Sequence, residues 1–138
     1  MSAPSRTLTV QIDRPPEEVL AFLAEPPNLP RWAKRVCRSM AITDSGWIAS
    51  TPVGPVPIRF VKSPPGSVEI LVTYWPGQEH SIPIRVQPAD GGSRVEVTMV
   101  KPSLMSNEEF PEDVKLVELD LENLKALLAE RLGQGVVR

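Results

Sequence analysis

Cysteine and histidine each occur once in 138 residues, as Cys37 and His80. A lone cysteine excludes an internal disulfide and points to a reducing compartment. One cysteine and one histidine cannot assemble the usual zinc sites. Calcium-loop spacing, a phosphate-cradling glycine loop and a nucleophile elbow are all missing, so neither a metal nor a cofactor is expected. Basic excess is absent too: 15 Lys and Arg stand against 17 Asp and Glu, a net charge of −2. That balance argues against a general nucleic-acid binder, whose phosphate contacts need a marked positive surplus. No stretch approaches the roughly 18 apolar residues of a membrane span. Residues 1–9 also lack the apolar segment of a secretory leader. The expectation is a cytoplasmic protein forming one domain over residues 1–138, with no internal repeat.

Proline is plentiful, at 16 residues, and falls in short clusters that punctuate elements. Leu8, Val10 and Ile12 alternate with polar neighbours, which predicts a half-buried strand. Asp13-Arg14-Pro15-Pro16 ends it and opens a short helix, with Asp13 or Arg14 as cap and Val19, Phe22 and Leu23 inward. Pro26-Pro27 stops that helix, and Asn28 is expected to cap a second one from Leu29 to about Lys34. From Val36 the period becomes two. Strands are expected at Val36–Thr43, at Trp47–Thr51, and around Val56, Ile58 and Phe60. Others follow from Val68 to Tyr74, from His80 to Val86, and from Val95 to Met99. Turns at Asp44-Ser45-Gly46, Ser63-Pro64-Pro65-Gly66, Pro76-Gly77 and Asp90-Gly91-Gly92-Ser93 separate them. Pro57 is tolerable in its strand only near an edge or bulge.

Lys101 to Glu109 reads as a loop before a long helix, Phe110 to Leu132. Pro111 fits its first position, and Gly133 its stop. Val114, Val117, Leu121, Leu124, Leu128 and Leu132 form its apolar stripe, widened by Leu116, Leu119 and Leu127. Such a helix needs a broad apolar partner. The pattern therefore predicts an α+β fold, a seven-stranded antiparallel curved sheet packed on a long C-terminal helix, with two short helices after the first strand.

Two runs carry a family likeness: Val10-Gln11-Ile12-Asp13-Arg14-Pro15-Pro16-Glu17-Glu18-Val19-Leu20-Ala21-Phe22-Leu23, and Asn28-Leu29-Pro30-Arg31-Trp32. Together with the element order they resemble the START/Bet v 1-like superfamily (the SRPBCC group, with polyketide cyclase/dehydrase-like and lipid-transport members) over about residues 7–132. The resemblance implies a helix-grip fold with an apolar cavity between sheet and last helix, and a lipid, polyketide or aromatic metabolite as ligand. Some members catalyse cyclisation or dehydration. Pro52-Val53-Gly54-Pro55 departs from the glycine-rich loop of plant members, which removes support for their ligand set.

Candidate site residues follow from parity and from the resemblance. His80 shares a face with Ile82 and Ile84 and could serve as a general base, although a surface histidine fits the same spacing. Tyr74 follows Ile70 and Val72 inward, and a buried hydroxyl needs a partner. Trp32, Met40, Trp47, Met99, Leu121 and Leu124 complete the expected ligand-binding set, each equally explicable as core. Arg31, Lys34, Arg35 and Arg38 read as a solvated or helix-pairing face, or as an anion site at the pocket entrance. Three functions stay open: a binder of a small hydrophobic molecule, a cyclase or dehydratase using His80 and Tyr74, and an interaction module or homodimer served by Leu116, Leu119 and Leu127. A dry cavity of ~300 Å³ would cost on the order of 7 kcal/mol, so a modest pocket is expected.

Overall fold

The computed structural model describes residues 4–52, 54–62, 66–102 and 105–137, with side chains described in the last helix as far as Ala129. Seven strands form one antiparallel sheet: β1 (Ser5–Ile12), β2 (Ser39–Thr43), β3 (Gly46–Thr51), β4 (Gly54–Lys62), β5 (Ser67–Trp75), β6 (Gln78–Ala89) and β7 (Gly92–Val100). Their spatial order is β1-β7-β6-β5-β4-β3-β2, so a meander of six strands closes against the first. Helices α1 (Pro16–Ala24) and α2 (Leu29–Trp32), joined by a 3-10 turn at Pro26–Asn28, follow β1, and α3 (Glu109–Val137) ends the chain. This is the predicted α+β helix-grip arrangement.

Alternation decides which face is buried. Val68, Ile70 and Val72 of β5 pair with Ile84, Ile82 and His80 of β6, all on the concave face. Prolines sit inside β4 and β6, two interior strands, without breaking the sheet. The reason is stagger. Pairing of β4 with β5 begins at Ile58, so Pro55 and Pro57 have ladder partners only on the β3 side. Likewise Pro83 precedes the β6–β7 ladder, and Pro88 lies beyond the end of the β5–β6 ladder. Each missing N–H falls where the strand is locally an edge.

Several boundaries differ from expectation. Helix α1 has Pro15 at its N-cap with no side-chain cap, so neither Asp13 nor Arg14 caps it. Arg14 instead pairs with Glu18 at 2.9 Å and donates to the Leu128 carbonyl of α3. Asn28 precedes α2 but makes no side-chain cap to it; its amide reaches back to the Phe22 carbonyl at 3.0 Å. Helix α2 ends at Trp32, and β2 starts only at Ser39, because Val36 and Cys37 turn back onto Ala33. Helix α3 begins at Glu109, one residue early, on a capping box. The Ser106 N–H donates to Glu109 Oε1 at 2.9 Å, and the Glu109 N–H donates to Ser106 Oγ at 3.0 Å. Pro111 thus stands third rather than first in α3. The helix also passes Gly133 and runs to Val137. A helical glycine costs only about 1 kcal/mol, and no proline follows to enforce a stop. Val53 and residues 63–65, with the turn expected there, lie outside the described residues, as do the side chains of Arg131 and Leu132.

The hairpin between β6 and β7 turns on Asp90 and Gly91, both at positive φ. Next to them Gly92 is packed so closely against the end of β1 that a Cβ there would collide with the Ile12 carbonyl oxygen. Ser93, fully buried, donates to the Arg14 carbonyl at 2.6 Å and locks the same corner. Gly92→Ala is therefore expected to destabilise the protein by roughly 2–3 kcal/mol, since the obstacle is main chain rather than a movable side chain. Chemical denaturation of the two proteins checks this; equal midpoints would contradict it.

Candidate functional site

Helix α3 presents two neighbouring stripes, one residue apart in phase and so about 100° apart around its axis. Phe110, Val114, Leu121, Leu124 and Leu128 form the first and are buried in the core. This stripe holds α3 against β1. Glu109, Glu112, Asp113, Leu116, Val117 and Asp120 form the second, and it faces a cavity of about 710 Å³. The sheet supplies the floor from Ala49, Val56, Ile58, Ile70, Val72, Ile84 and Val97, while Leu29, Trp32, Ala33, Val36 and Cys37 wall one end. Exposed Pro52, Pro55, Glu108, Glu109 and Glu112 mark the mouth, between the β3–β4 connection and the start of α3. The hollow is larger than the modest pocket expected from the aliphatic supply. Leu121 and Leu124 are spent on the neighbouring stripe and do not fill it.

Of the candidate ligand residues, Trp32 and Tyr74 line the cavity. Leu121, Leu124 and Met99 belong to the packed core, and Met40 and Trp47 pack against it from the β2–β3 side; none of these five is among the lining residues. His80 lies on the concave face, opposite Val72, but near the strand end and outside the lining. Its ring sits 6.2 Å from that of Tyr74, centroid to centroid. Burial holds its pKa below the ordinary imidazole value, opposed by a hydrogen bond with the Val100 main chain. The Tyr74 phenol is pushed up to about 12, first by burial and then by the charge of Asp113. It remains a protonated donor at neutral pH. The Cys37 thiol, buried in the wall, is pushed up to about 11 by burial and is inert as a nucleophile at neutral pH.

The residue that the sequence reading passed over is Asp120. It is fully buried in the cavity wall. Its Oδ1 accepts from the Arg35 N–H at 3.3 Å and lies 3.6 Å from the Arg35 guanidinium. Its Oδ2 is buried with no partner, and so is the indole N–H of Trp32. Helices α2 and α3 are clasped beside them by Asn123, whose amide donates to the carbonyls of Arg31 and Trp32 at 3.0 and 2.9 Å. Burial raises the Asp120 pKa, against the opposing pull of Arg35 and the Val36 main chain. Burial raises that of Asp113 as well. Its spacing held the clue: Asp120 is three residues after Val117 and four before Leu124, an acid on an apolar stripe. Of the basic run, Arg35 pairs with the long helix as described, and none of Arg31, Lys34, Arg35 or Arg38 lines the cavity. No group of metal-ligating side chains occurs among the described residues.

The model of the polyketide cyclase / dehydrase and lipid transport family matches residues 4–129. Among solved structures, an uncharacterised protein from Bacillus thuringiensis superposes with a TM-score of 0.70 at 19% identity, covering 90% of this chain and 98% of its own. A START superfamily protein from Mycobacterium smegmatis gives 0.63 at 14% identity, with 94% and 97% covered. A protein from Mesorhizobium loti gives 0.68 at 14%, with 92% and 98% covered. At these identities the structural likeness shows the fold. Comparison with curated proteins returns no match.

The raised Asp120 pKa has a consequence for stability. A carboxyl with a raised folded-state pKa stabilises the fold fully below its ordinary value of 3.8 and ceases to do so as pH climbs through the folded value. Asp120→Asn keeps the acceptor for the Arg35 N–H and removes the buried charge. The half-exposed Arg35 guanidinium returns little for that charge. The variant is expected to melt above the parent at neutral pH, with the gap closing below the ordinary carboxylate range. Melting curves against pH check this, and a variant that melts lower at neutral pH would contradict it.

Proposed function

The chain belongs to the polyketide cyclase/dehydrase and lipid transport family, and on that premise we propose that it binds a small hydrophobic molecule, a lipid, polyketide or aromatic metabolite, between the sheet and α3. The observation that carries this reading is the cavity itself. Its floor is aliphatic from β3 to β7, and Trp32, Tyr74 and Trp75 add aromatic surface. The cavity opens at a mouth marked by Pro52, Pro55, Glu108, Glu109 and Glu112, so it is not sealed from water. The space is therefore occupied, by water or by a guest. Water gains little from apolar walls, whereas an apolar guest gains about 25 cal/mol for each Å² it removes from solvent.

Binding is favoured over turnover by the groups at hand. The cyclase reading asks His80 and Tyr74 to share the moving proton, yet only Tyr74 lines the cavity. A phenol with a pKa of about 12 is a poor base at neutral pH. The interaction-module reading draws on Leu116, Leu119 and Leu127. Leu116 lines the cavity, Leu127 packs on the core, and Leu119, 44% exposed, remains for a partner.

Titration with panels of lipids and aromatic compounds, followed by intrinsic fluorescence because Trp32 and Trp75 line the cavity, is expected to show saturable single-site binding. Ala49→Phe sets a ring into the hollow from the sheet side. It is expected to weaken binding by roughly tenfold or more, about 1.4 kcal/mol, in a variant whose circular dichroism matches the parent. Failure of every compound to bind, or undiminished binding by Ala49→Phe, would contradict the proposal.

A further inference from the structure

Two features of the cavity bear on the charge of its guest, if the cavity is the ligand site proposed above. The first lies at the end of β5. Consecutive residues of a strand point to opposite faces of a sheet, yet Tyr74 and Trp75 both line the cavity. A bulge explains this: the β5–β6 register shifts between Thr73, paired with Glu79, and Trp75, paired with Gln78. The two rings lie 5.6 Å apart, centroid to centroid, and are tilted by 58°. Both residues keep part of their surface uncovered. The face of an aromatic ring carries negative charge and attracts cations.

The second feature is the charge that α3 brings to the lining. The charged lining residues are Glu108, Glu109, Glu112, Asp113 and Asp120; no Lys, Arg or His is among the described lining. Glu109 is engaged in the capping box with Ser106, and Asp120 with Arg35. Neither Glu112 nor Asp113 has a hydrogen bond or ion pair among the described residues. Asp113 is half-buried. Its charge acts on the Tyr74 phenol, which sets the carboxyl near the aromatic pair. The helix dipole favours acids in the first turn, Glu109 and Glu112, but Asp113 lies beyond it. Like charges four residues apart, Glu109 with Asp113 and Glu108 with Glu112, repel each other. A half-buried carboxylate with no cation beside it adds a desolvation cost.

A positive charge answers both features. An ammonium group is attracted by the ring faces and by Asp113 together. Asp113 directly follows Glu112 of the mouth, so such a head stays partly hydrated and its desolvation cost is small. A carboxylate or phosphate head meets like charge there, with no base in the described lining to receive it. A hydroxyl gains a hydrogen bond at most. We infer that the guest is an apolar molecule with a cationic amine head, its tail on the aliphatic floor and its head held near the mouth by Asp113 and the Tyr74–Trp75 pair. The acids and rings then select the guest, while the floor supplies affinity.

Octylamine, octanol and octanoate separate this inference from the broader proposal, because they share a chain length and differ in the head. By titration calorimetry at neutral pH, octylamine, present as its ammonium, is expected to bind about tenfold more tightly than octanol, and octanoate more weakly than either. Asp113→Asn keeps the side chain's shape and removes its charge. The advantage of the amine over octanol is then expected to shrink about threefold or more, with octanol binding unchanged. Octanol or octanoate binding as tightly as the amine would overturn the inference and leave the apolar-ligand proposal standing. Binding of none of the three would overturn both. Undiminished amine binding by Ala49→Phe would mark adsorption to the acidic surface and would also overturn both. An amine advantage unchanged in Asp113→Asn, in a variant whose circular dichroism matches the parent, would overturn the inference alone. The parent comparison stands by itself should that variant fold poorly.

Discussion

One helix has to do two things with adjacent faces. Helix α3 is held to the sheet by Phe110, Val114, Leu121, Leu124 and Leu128, which it buries against β1 and the rest of the core. That attachment turns the next stripe, from Glu109 to Asp120, towards the cavity. The curvature of seven antiparallel strands and the offset of the helix towards β1 leave space between them. The proposed binding site depends on that offset. Were the helix centred, its leucines would plug the hollow.

The wall of the hollow is mostly apolar, with a few polar atoms placed at cost. Asp120 buries a carboxyl whose charged form its exposed partner Arg35 supports only in part. Its second oxygen and the Trp32 indole lack partners. A chain selected for stability alone would put an aliphatic residue at position 120, as it does at 117, 121 and 124. A local penalty that packing does not explain is the usual mark of a site with a task. The same reasoning gives His80 less weight. It is half-buried against Tyr74, outside the lining, and its main-chain partner already accounts for its ring.

Much of the fold is legible in the residues. Val68, Ile70 and Val72 announce their strand by strict alternation, and the run from Val10 to Leu23 with Trp32 beyond it marks the family. Helix α3 is equally plain from its leucines. What resisted reading was phase and depth. Leu121 and Asp120 differ by a single residue, yet one packs and the other faces the cavity; periodicity defines a broad stripe without saying which edge the sheet will take. Parity assigns His80 to the concave face correctly but carries no information on how far along the strand the cavity extends. The prolines of β4 and β6 depend on the stagger of neighbouring strands, which is a property of the assembled sheet. Two signals were present in short motifs: the Ser106-to-Glu109 capping box, and an acid at the apolar spacing of Asp120.

The proposed binding rests on an apolar hollow between α3 and the sheet into which a guest can enter. Methyl NMR of the isoleucines under titration with toluene tests it directly, since the ring shifts nearby methyl resonances. Ile58, Ile70, Ile82 and Ile84 line the hollow, whereas Ile42, 65% exposed, and Ile48 do not. Saturable shifts at the first four with silence at the other two is the predicted result. Shifts confined to Ile42 and Ile48, or no saturable shift at any of them, would contradict it.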